Sequence, residues 1–325
     1  MENTMPAKDQ SRLAVKAARL YYYQDLTTEE IARELSVSRP TVSRLLTFAR
    51  QNGLVEIRIH DPEGRPQQLE QQIQARFELK SVKVVSVPLN SREDVWLERV
   101  AGHAANHLNS LIHSDMTVGI AWGNTLEAVS KALSPKHCAR VEIVQLNGSG
   151  TNQMAVDGHI SDIYSRFAAN YGAQAYFFPV PAFFDFPETK VAMFRERLIE
   201  GWQKMISKAD LLVYSIGSEV ASPPSYVYSG EYLDARDFQE LKEQRVVGDI
   251  ATVFFREDGT FDGIPLNDRA SGPDLTLFQK AKHGLCVVSG LGKARGLRAA
   301  LRGRLMTELI VDEPTAHAIL QEDNT

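Results

Sequence analysis

From Ser81 onward the sequence alternates short, continuous apolar runs with longer amphipathic stretches, and few folds accommodate that pattern. Val82–Val87, Met116–Ala121, Val141–Leu146, Ala173–Phe178, Leu211–Ile216, Ile250–Phe255, Cys286–Ser289 and Glu308–Val311 read as strands. Helical patterns stand between them, over Glu93–Ile112, Asn124–Leu133, Val156–Tyr171, Glu188–Lys208, Asp234–Gln244, Leu275–Lys282, Lys293–Arg302 and Thr315–Gln321. A strand that is apolar at every position is buried on both faces, which is the habit of parallel sheets covered by helices. The expected body is therefore a doubly wound α/β domain. Glu257-Asp258-Gly259-Thr260 is expected to turn the sixth strand into a hairpin with Phe261. No internal repeat or low-complexity tract interrupts the pattern.

Residues before Ser81 follow a different rule. Leu26–Gly53 carries Ile31, Leu35, Val42, Leu45, Leu46 and Ala49 at helical spacing on both sides of a break at Ser36–Ser38. Thr27 or Thr28 can cap the first helix with Glu30 as the acid of a capping box. Ser38 can cap the second, Pro40 suits its first turn, and Gly53 can end it. This is a helix-turn-helix pattern. The polar side of the second helix holds Ser38, Arg39, Thr41, Ser43 and Arg44, groups that meet phosphates and base edges in a major groove. A helix over residues 10–24 would complete a three-helix head, and Leu54–Ile59 alternates as a wing strand would. An ordinary helical hairpin with a solvated face fits the same spacing.

Charge separates the two parts. Residues 1–60 hold nine Lys and Arg against seven Asp and Glu, a balance of +2, which leaves −7 for the rest of a chain whose net charge is −5. A slightly basic head on an acidic body fits a DNA-reading module joined to something else. Two cysteines, Cys138 and Cys286, form no disulfide framework, and no metal site or cofactor signature is expected. No apolar run reaches the length of a membrane span, and the first residues lack a signal-peptide core, so a cytoplasmic protein is expected. The turn-rich stretch Asp61–Pro66 marks a boundary. Gln67–Phe77 follows as a connector helix with Leu69, Ile73 and Phe77 on one side. The expected division is a head over 1–61, a linker helix over 62–80 and a body over 81–325.

Open α/β sheets bind ligands beyond the carboxyl ends of their strands. Five loops qualify there. Trp122-Gly123-Asn124-Thr125 opens a helix whose free N–H groups favour an anion. Asn147-Gly148-Ser149-Gly150-Thr151-Asn152 is small and hydroxylated. Gly217-Ser218-Glu219, Pro265-Leu266-Asn267-Asp268-Arg269 and Ser289-Gly290-Leu291-Gly292-Lys293 complete the set. Each alone reads equally as a corner of a parallel sheet. Together, with Arg269 and Lys293, they favour a polar anionic ligand. The glycines at 290, 292 and 296 miss the dinucleotide spacing, and Gly292-Lys293 lacks the rest of a P-loop. His103 and His107 lie four apart on a helix without the acid of a zinc-hydrolase motif.

The sequence resembles the SorC family of sugar-responsive transcription regulators, nearest to its deoxyribonucleoside-regulator members. In the head the resemblance rests on Ala18-Arg19-Leu20-Tyr21-Tyr22, Ile31-Ala32 and the run Ser36 to Leu46. In the body it rests on Gly119 to Thr125, Val144 to Gly148, Val247 to Ile250, Leu266 to Arg269 and Asp312 to Ala316. It implies a winged head and an effector domain similar to sugar-phosphate isomerases and glucosamine-phosphate deaminases. It also implies a phosphorylated sugar or polyol as effector, and a homodimer or homotetramer on operator DNA. Carried onto this chain, the phosphate would lie near Gly123, Asn124, Thr125 and Lys293, and the sugar near Asn147, Gly148, Asp249 and Arg269. Some members place a lysine where this chain has Asn147. An amide forms no Schiff base with an aldehyde sugar, so binding is expected to be non-covalent. The competing reading is a sugar-phosphate isomerase or deaminase with an accessory head, for which Asp249 and Asp268 are the available carboxylates.

Overall fold

The structure, a computed structural model, describes residues 7–24, 26–51, 53–55, 65–149, 154–228 and 232–321. Most of the expected wing strand, residues 56–59, lies outside them, as do residues 61–64 of the boundary and residues 150–152 of the third strand's loop. The chain divides into two compact units, residues 1–62 and 63–325.

The first unit holds helices α1 (Ala7–Tyr23), α2 (Thr28–Glu34) and α3 (Arg39–Gln51). Thr27 and Glu30 form the capping box that starts α2. Ser36 takes a φ of 52° in the turn, and the Thr41 amide donates to Ser38 Oγ at 3.3 Å to start α3. Ala14, Ala17 and Ala18 of α1 pack with Ile31, Val42, Leu45, Leu46 and Ala49 in one core.

The second unit is the α/β body. Its elements run α4 (Arg65–Phe77), β1 (Ser81–Val85), α5 (Glu93–Leu111), β2 (Thr117–Ile120), α6 (Asn124–Ala132), β3 (Glu142–Gln145), α7 (Met154–Tyr171) and β4 (Gln174–Tyr176). They continue α8 (Pro187–Met193), α9 (Arg197–Ser207), β5 (Leu211–Tyr214), α10 (Ala235–Glu243), β6 (Val246–Ile250), β7 (Val253–Arg256), α11 (Thr276–Lys280), β8 (Gly284–Val288), α12 (Ala294–Arg302), β9 (Glu308–Asp312) and α13 (Glu313–Leu320). Among the described residues, seven strands form one parallel sheet in the order β1-β9-β8-β5-β2-β3-β4. Alternate strand residues feed two cores. Val118, Ile143, Val213 and Leu285 face α5, α6 and α7, while Val144, Leu212, Cys286 and Val311 face α4, α9, α12 and α13. Each such side chain, fully buried, contributes about 1.5–3 kcal/mol.

Two expectations need correction. The single helix over Glu188–Lys208 is two, broken at residues 194–196 between α8 and α9. The run Ile250–Phe255 is not one strand of the main sheet. It is interrupted at Ala251 and Thr252, whose φ angles of 48° and 70° turn β6 back on β7 in a separate antiparallel hairpin. Positive φ at both central residues is the geometry of a tight hairpin, but Ala-Thr carries none of its usual signature. Glu257–Thr260 does turn, with the Arg256 amide on the Thr260 carbonyl at 2.8 Å, yet no strand follows it.

Candidate functional site

The sheet's strand order reverses between β2 and β5. From β2 the chain moves outward through β3 to β4, and from β5 it moves the other way through β8 to β9. The crevice at such a switch point is where open α/β sheets hold ligands. A cavity of about 140 Å³ opens there, walled by the ends of β2, β3, β5 and β8 and by the β6–β7 turn.

Helix α6 contributes its N-terminus. Gly123 caps it with φ 142°, a region that side chains disfavour, and has no side chain of its own to take up the first N–H groups. Lys293 reaches the same place from the turn after β8. It is 8% exposed, and its Nζ donates to Thr125 Oγ1 at 3.0 Å and to Ser215 Oγ at 3.3 Å. Burial pulls its pKa down to about 8, against the pull of nearby Cys286, Asp249, Glu93 and Asp312. An ammonium beside free helix N–H groups is a receptor for an anion.

Asp249 faces it from β6. Its backbone bridges to Gly217 after β5, and a Cβ on Gly217 would stand 1.8 Å from Asp249 Oδ1, so only glycine fits there. Burial lifts the Asp249 pKa to about 6, although the Thr252 amide, the Tyr228 hydroxyl and Lys293 all favour the carboxylate. Among the described residues, three buried polar atoms on this cavity have no hydrogen-bond partner: Asn147 Oδ1, Asp249 Oδ1 and Ser289 Oγ. Buried polar atoms are nearly always paired, so a cluster of orphans around one cavity makes it a candidate seat for polar molecules.

Of the expected effector residues, Gly123, Asn124, Thr125, Asn147, Asp249 and Lys293 come together on the cavity wall. Gly148 and Arg269 are not among the lining residues. Gly148 is pressed against the Val180 and Pro181 carbonyls, where a Cβ would sit 2.4 Å from either oxygen. Arg269 is bound to Asp237 of α10 and to the Phe184 carbonyl. Reading the sequence missed Glu93 at the start of α5, Ser215, and Ala221, Ser222, Pro223, Ser225, Tyr226 and Val227 from the segment after Glu219. The Gly217-Ser218-Glu219 loop was the signal for that segment. Among the described residues no group of three or more His, Cys, Asp or Glu could hold a metal ion, and no helix is long and apolar enough to cross a membrane.

In the head, Ser38, Arg39, Ser43 and Arg44 are exposed and Thr41 is half-buried. Ser38 and Thr41 are partly spent on the cap, their hydroxyls 2.7 Å apart.

Residues 62–321 match the family described as "Putative sugar-binding domain", and residues 18–52 match sigma-70 region 4, a helix-turn-helix. The chain belongs to the SorC family of sugar-binding transcriptional regulators. Over 97% of its length it is 28% identical to the deoxyribonucleoside regulator of Bacillus subtilis (strain 168), covering 99% of that protein. A domain of "a possible sugar-binding transcriptional regulator" from Arthrobacter aurescens TC1 shares 40% identity at a TM-score of 0.75, over 81% of this chain and all of that one. The full-length sorbitol operon regulator of Klebsiella pneumoniae aligns over 96% of this chain and all of its own, at 25% identity and a TM-score of 0.69. Like that SorC protein, this chain joins a helix-turn-helix head to a larger α/β sugar-binding domain.

Proposed function

We propose that this chain is an effector-controlled DNA-binding regulator whose ligand is a phosphorylated sugar or polyol held without a covalent bond. The observation that carries the reading is the set of orphaned oxygens, Asn147 Oδ1, Asp249 Oδ1 and Ser289 Oγ, on a cavity that is also lined by Lys293 and the N-terminus of α6. The phosphate belongs with Gly123, Asn124, Thr125 and Lys293, and the hydroxyls with Asn147, Asp249 and Ser289. A ligand hydroxyl donates to each orphaned oxygen, and a phosphate needs the donors that Lys293 and the N-terminus of α6 supply. In the head, Ser38, Arg39, Thr41, Ser43 and Arg44 meet operator DNA. Two heads of a homodimer, or of a pair within a homotetramer, read half-sites about one helical turn apart. Relatives named for deoxyribonucleoside and sorbitol regulation support this reading, which implies a cytoplasmic place beside DNA.

The deciding experiment is a thermal-shift screen against sugar and polyol phosphates with wild-type protein and Lys293→Ala. A true effector raises the midpoint of wild type through mass action on the folded state. Failure of every phosphorylated compound, with a response to unphosphorylated polyols alone, would remove the phosphate from the proposal. Salt-dependent operator binding weakened by Arg39→Ala or Arg44→Ala tests the head.

One observation favours a second reading. Asp249 near 6 and Lys293 near 8 line the same cavity, values suited to general acid and base work at neutral pH. Turnover of a pentose or hexose phosphate by purified protein at ordinary enzyme rates would establish an enzyme. Our reading is that the pair binds and does not turn over.

A further inference from the structure

We propose that Asp312 is a positioning residue that ties the effector cavity to α4, the first helix of the body after the head in sequence. The proposal rests on the effector reading above for its biological meaning, but its structural content stands apart from it. Asp312 ends β9 and is fully buried. One carboxylate oxygen, Oδ2, accepts from the Gly290 amide at 2.8 Å. The other, Oδ1, accepts from the Thr315 amide at 2.8 Å and caps α13.

The two hydrogen bonds lead in different directions. Gly290 has φ 103° and opens the turn that delivers Lys293 to the cavity. Glu93 holds the next amide, that of Leu291, at 3.1 Å. On the other side, Ala316 and Ile319 of α13 share a core with Leu69 and Ile73 of α4. Arg76 near the end of α4 donates to the Leu320 carbonyl at the end of α13, at 3.0 Å. An unbroken chain of hydrogen bonds and packed side chains therefore runs from the Lys293 turn through Asp312 and α13 to α4.

The chemistry makes Asp312 a stiff link. A buried carboxylate that loses an N–H partner keeps its charge out of water with one less donor, a costly state. Neither the glycine turn nor the first turn of α13 can move away without that cost, so both move with the carboxylate. A ligand that draws Lys293 toward itself pulls on the same turn. Coupling of this kind is reciprocal: what loosens α4 must loosen the cavity turn.

The test is hydrogen exchange by mass spectrometry on the full chain, wild type and Asp312→Asn, with and without inorganic phosphate as the anion probe. A neutral amide accepts through one atom only, so the variant serves one partner and abandons the other while keeping the shape. Without phosphate, the proposal expects exchange at least tenfold faster across residues 290–293, α13 and α4, with α6 and α7 unchanged. Faster exchange confined to residues 290–315 overturns it, and so does uniform loosening of the whole body. If Asp312→Asn does not fold, Arg76→Ala replaces it: faster exchange must then reach residues 290–293 from α4, and an unaffected turn overturns the proposal. Phosphate should slow exchange at residues 123–125 and 290–293 of wild type. Its failure to do so counts against the anion-binding reading alone, because the ligand-free arm has already decided the link.

Discussion

Two buried carboxylates, one at the start of β9 and one beside the end of β5, meet opposite treatment. Glu308 begins β9. Its Oε2 lies 3.0 Å from His107 Nε2 and its Oε1 2.7 Å from His283 Nδ1, with the Ser81 hydroxyl also on Oε2 at 3.3 Å. Burial alone would raise its pKa, but the hydrogen bonds and charges of the two histidines outweigh it and hold the pKa at about 2. Asp249, on β6 beside the end of β5, keeps one oxygen unpaired among the described residues and is lifted to about 6. The first arrangement is complete in itself and holds α5, β8 and β9 together. The second leaves one carboxylate oxygen open toward the cavity, which the proposed effector would fill. A fold spends satisfied polar groups on stability and leaves unsatisfied ones for ligands.

The sharpest way to break this contrast is to remove Glu308. Glu308→Ala leaves two half-exposed histidines without their common acceptor. Losing one member of a buried ion pair costs about 3–5 kcal/mol in general, and the partial exposure of both histidines puts this case at about 3 kcal/mol. Urea unfolding should show that loss, while effector binding by the folded fraction stays as in wild type. A loss under about 0.5 kcal/mol, within the range of ordinary surface changes, would mean the histidines and Glu308 contribute no more than surface contacts do.

Lys293→Ala should act in the opposite sense. It removes a buried cation from a cavity and should cost about 2 kcal/mol of affinity for a phosphorylated effector, or roughly thirtyfold, in line with other charge-assisted contacts. Operator affinity without effector should change little. Titration calorimetry checks the first part and gel-shift the second. Equal effector affinity in wild type and variant would take Lys293 out of the ligand's reach.

How much of this contrast was legible beforehand differs between its halves. Strand ends with glycine and small polar residues announce a ligand edge, which is why Gly123, Asn124, Thr125, Asn147 and Lys293 stood out, whereas Asp249 came only with the family resemblance. Arg269 carried the same signal, yet Asp237, thirty-two positions earlier on another helix, claims it. No local pattern reveals such a partner. The Glu308 cluster was equally hidden, because His107, His283 and Glu308 come from three separated segments that only the sheet order brings together. His107 drew notice for its spacing from His103, a relation the fold does not use for a metal among the described residues. The alternation of apolar runs was strong enough to read the parallel sheet. It failed at Ala251–Thr252, where a hairpin turn is built from residues that seldom make one.

Asp249→Asn should stabilise the empty protein. At neutral pH the carboxylate is ionised in a place that raises its pKa by about two units over the unfolded value, and each unit is about 1.4 kcal/mol. An amide avoids most of that penalty but keeps an acceptor for Tyr228 or Thr252, so a gain of about 1 kcal/mol is expected, with effector affinity reduced. Destabilisation instead would place Asp249 with Glu308 as a structural carboxylate.

The smallest effect is the pH dependence, and its sign differs between the two groups. Asp249 has a folded pKa near 6, above its unfolded value near 4. The native state therefore binds the proton first, and its contribution to stability grows as pH falls from about 6 to 4. Glu308 has a folded pKa near 2, below its unfolded value. Its contribution is fully present above about 4.5 and is lost as pH falls toward 2. Measured as differences from wild type, the gain in Asp249→Asn should fade between pH 6 and 4, and the loss in Glu308→Ala should fade only below pH 4.5. Curves that fade over the same interval would show that the two carboxylates are not opposites, and that the unpaired oxygen of Asp249 is an ordinary feature of the interior with no ligand implied.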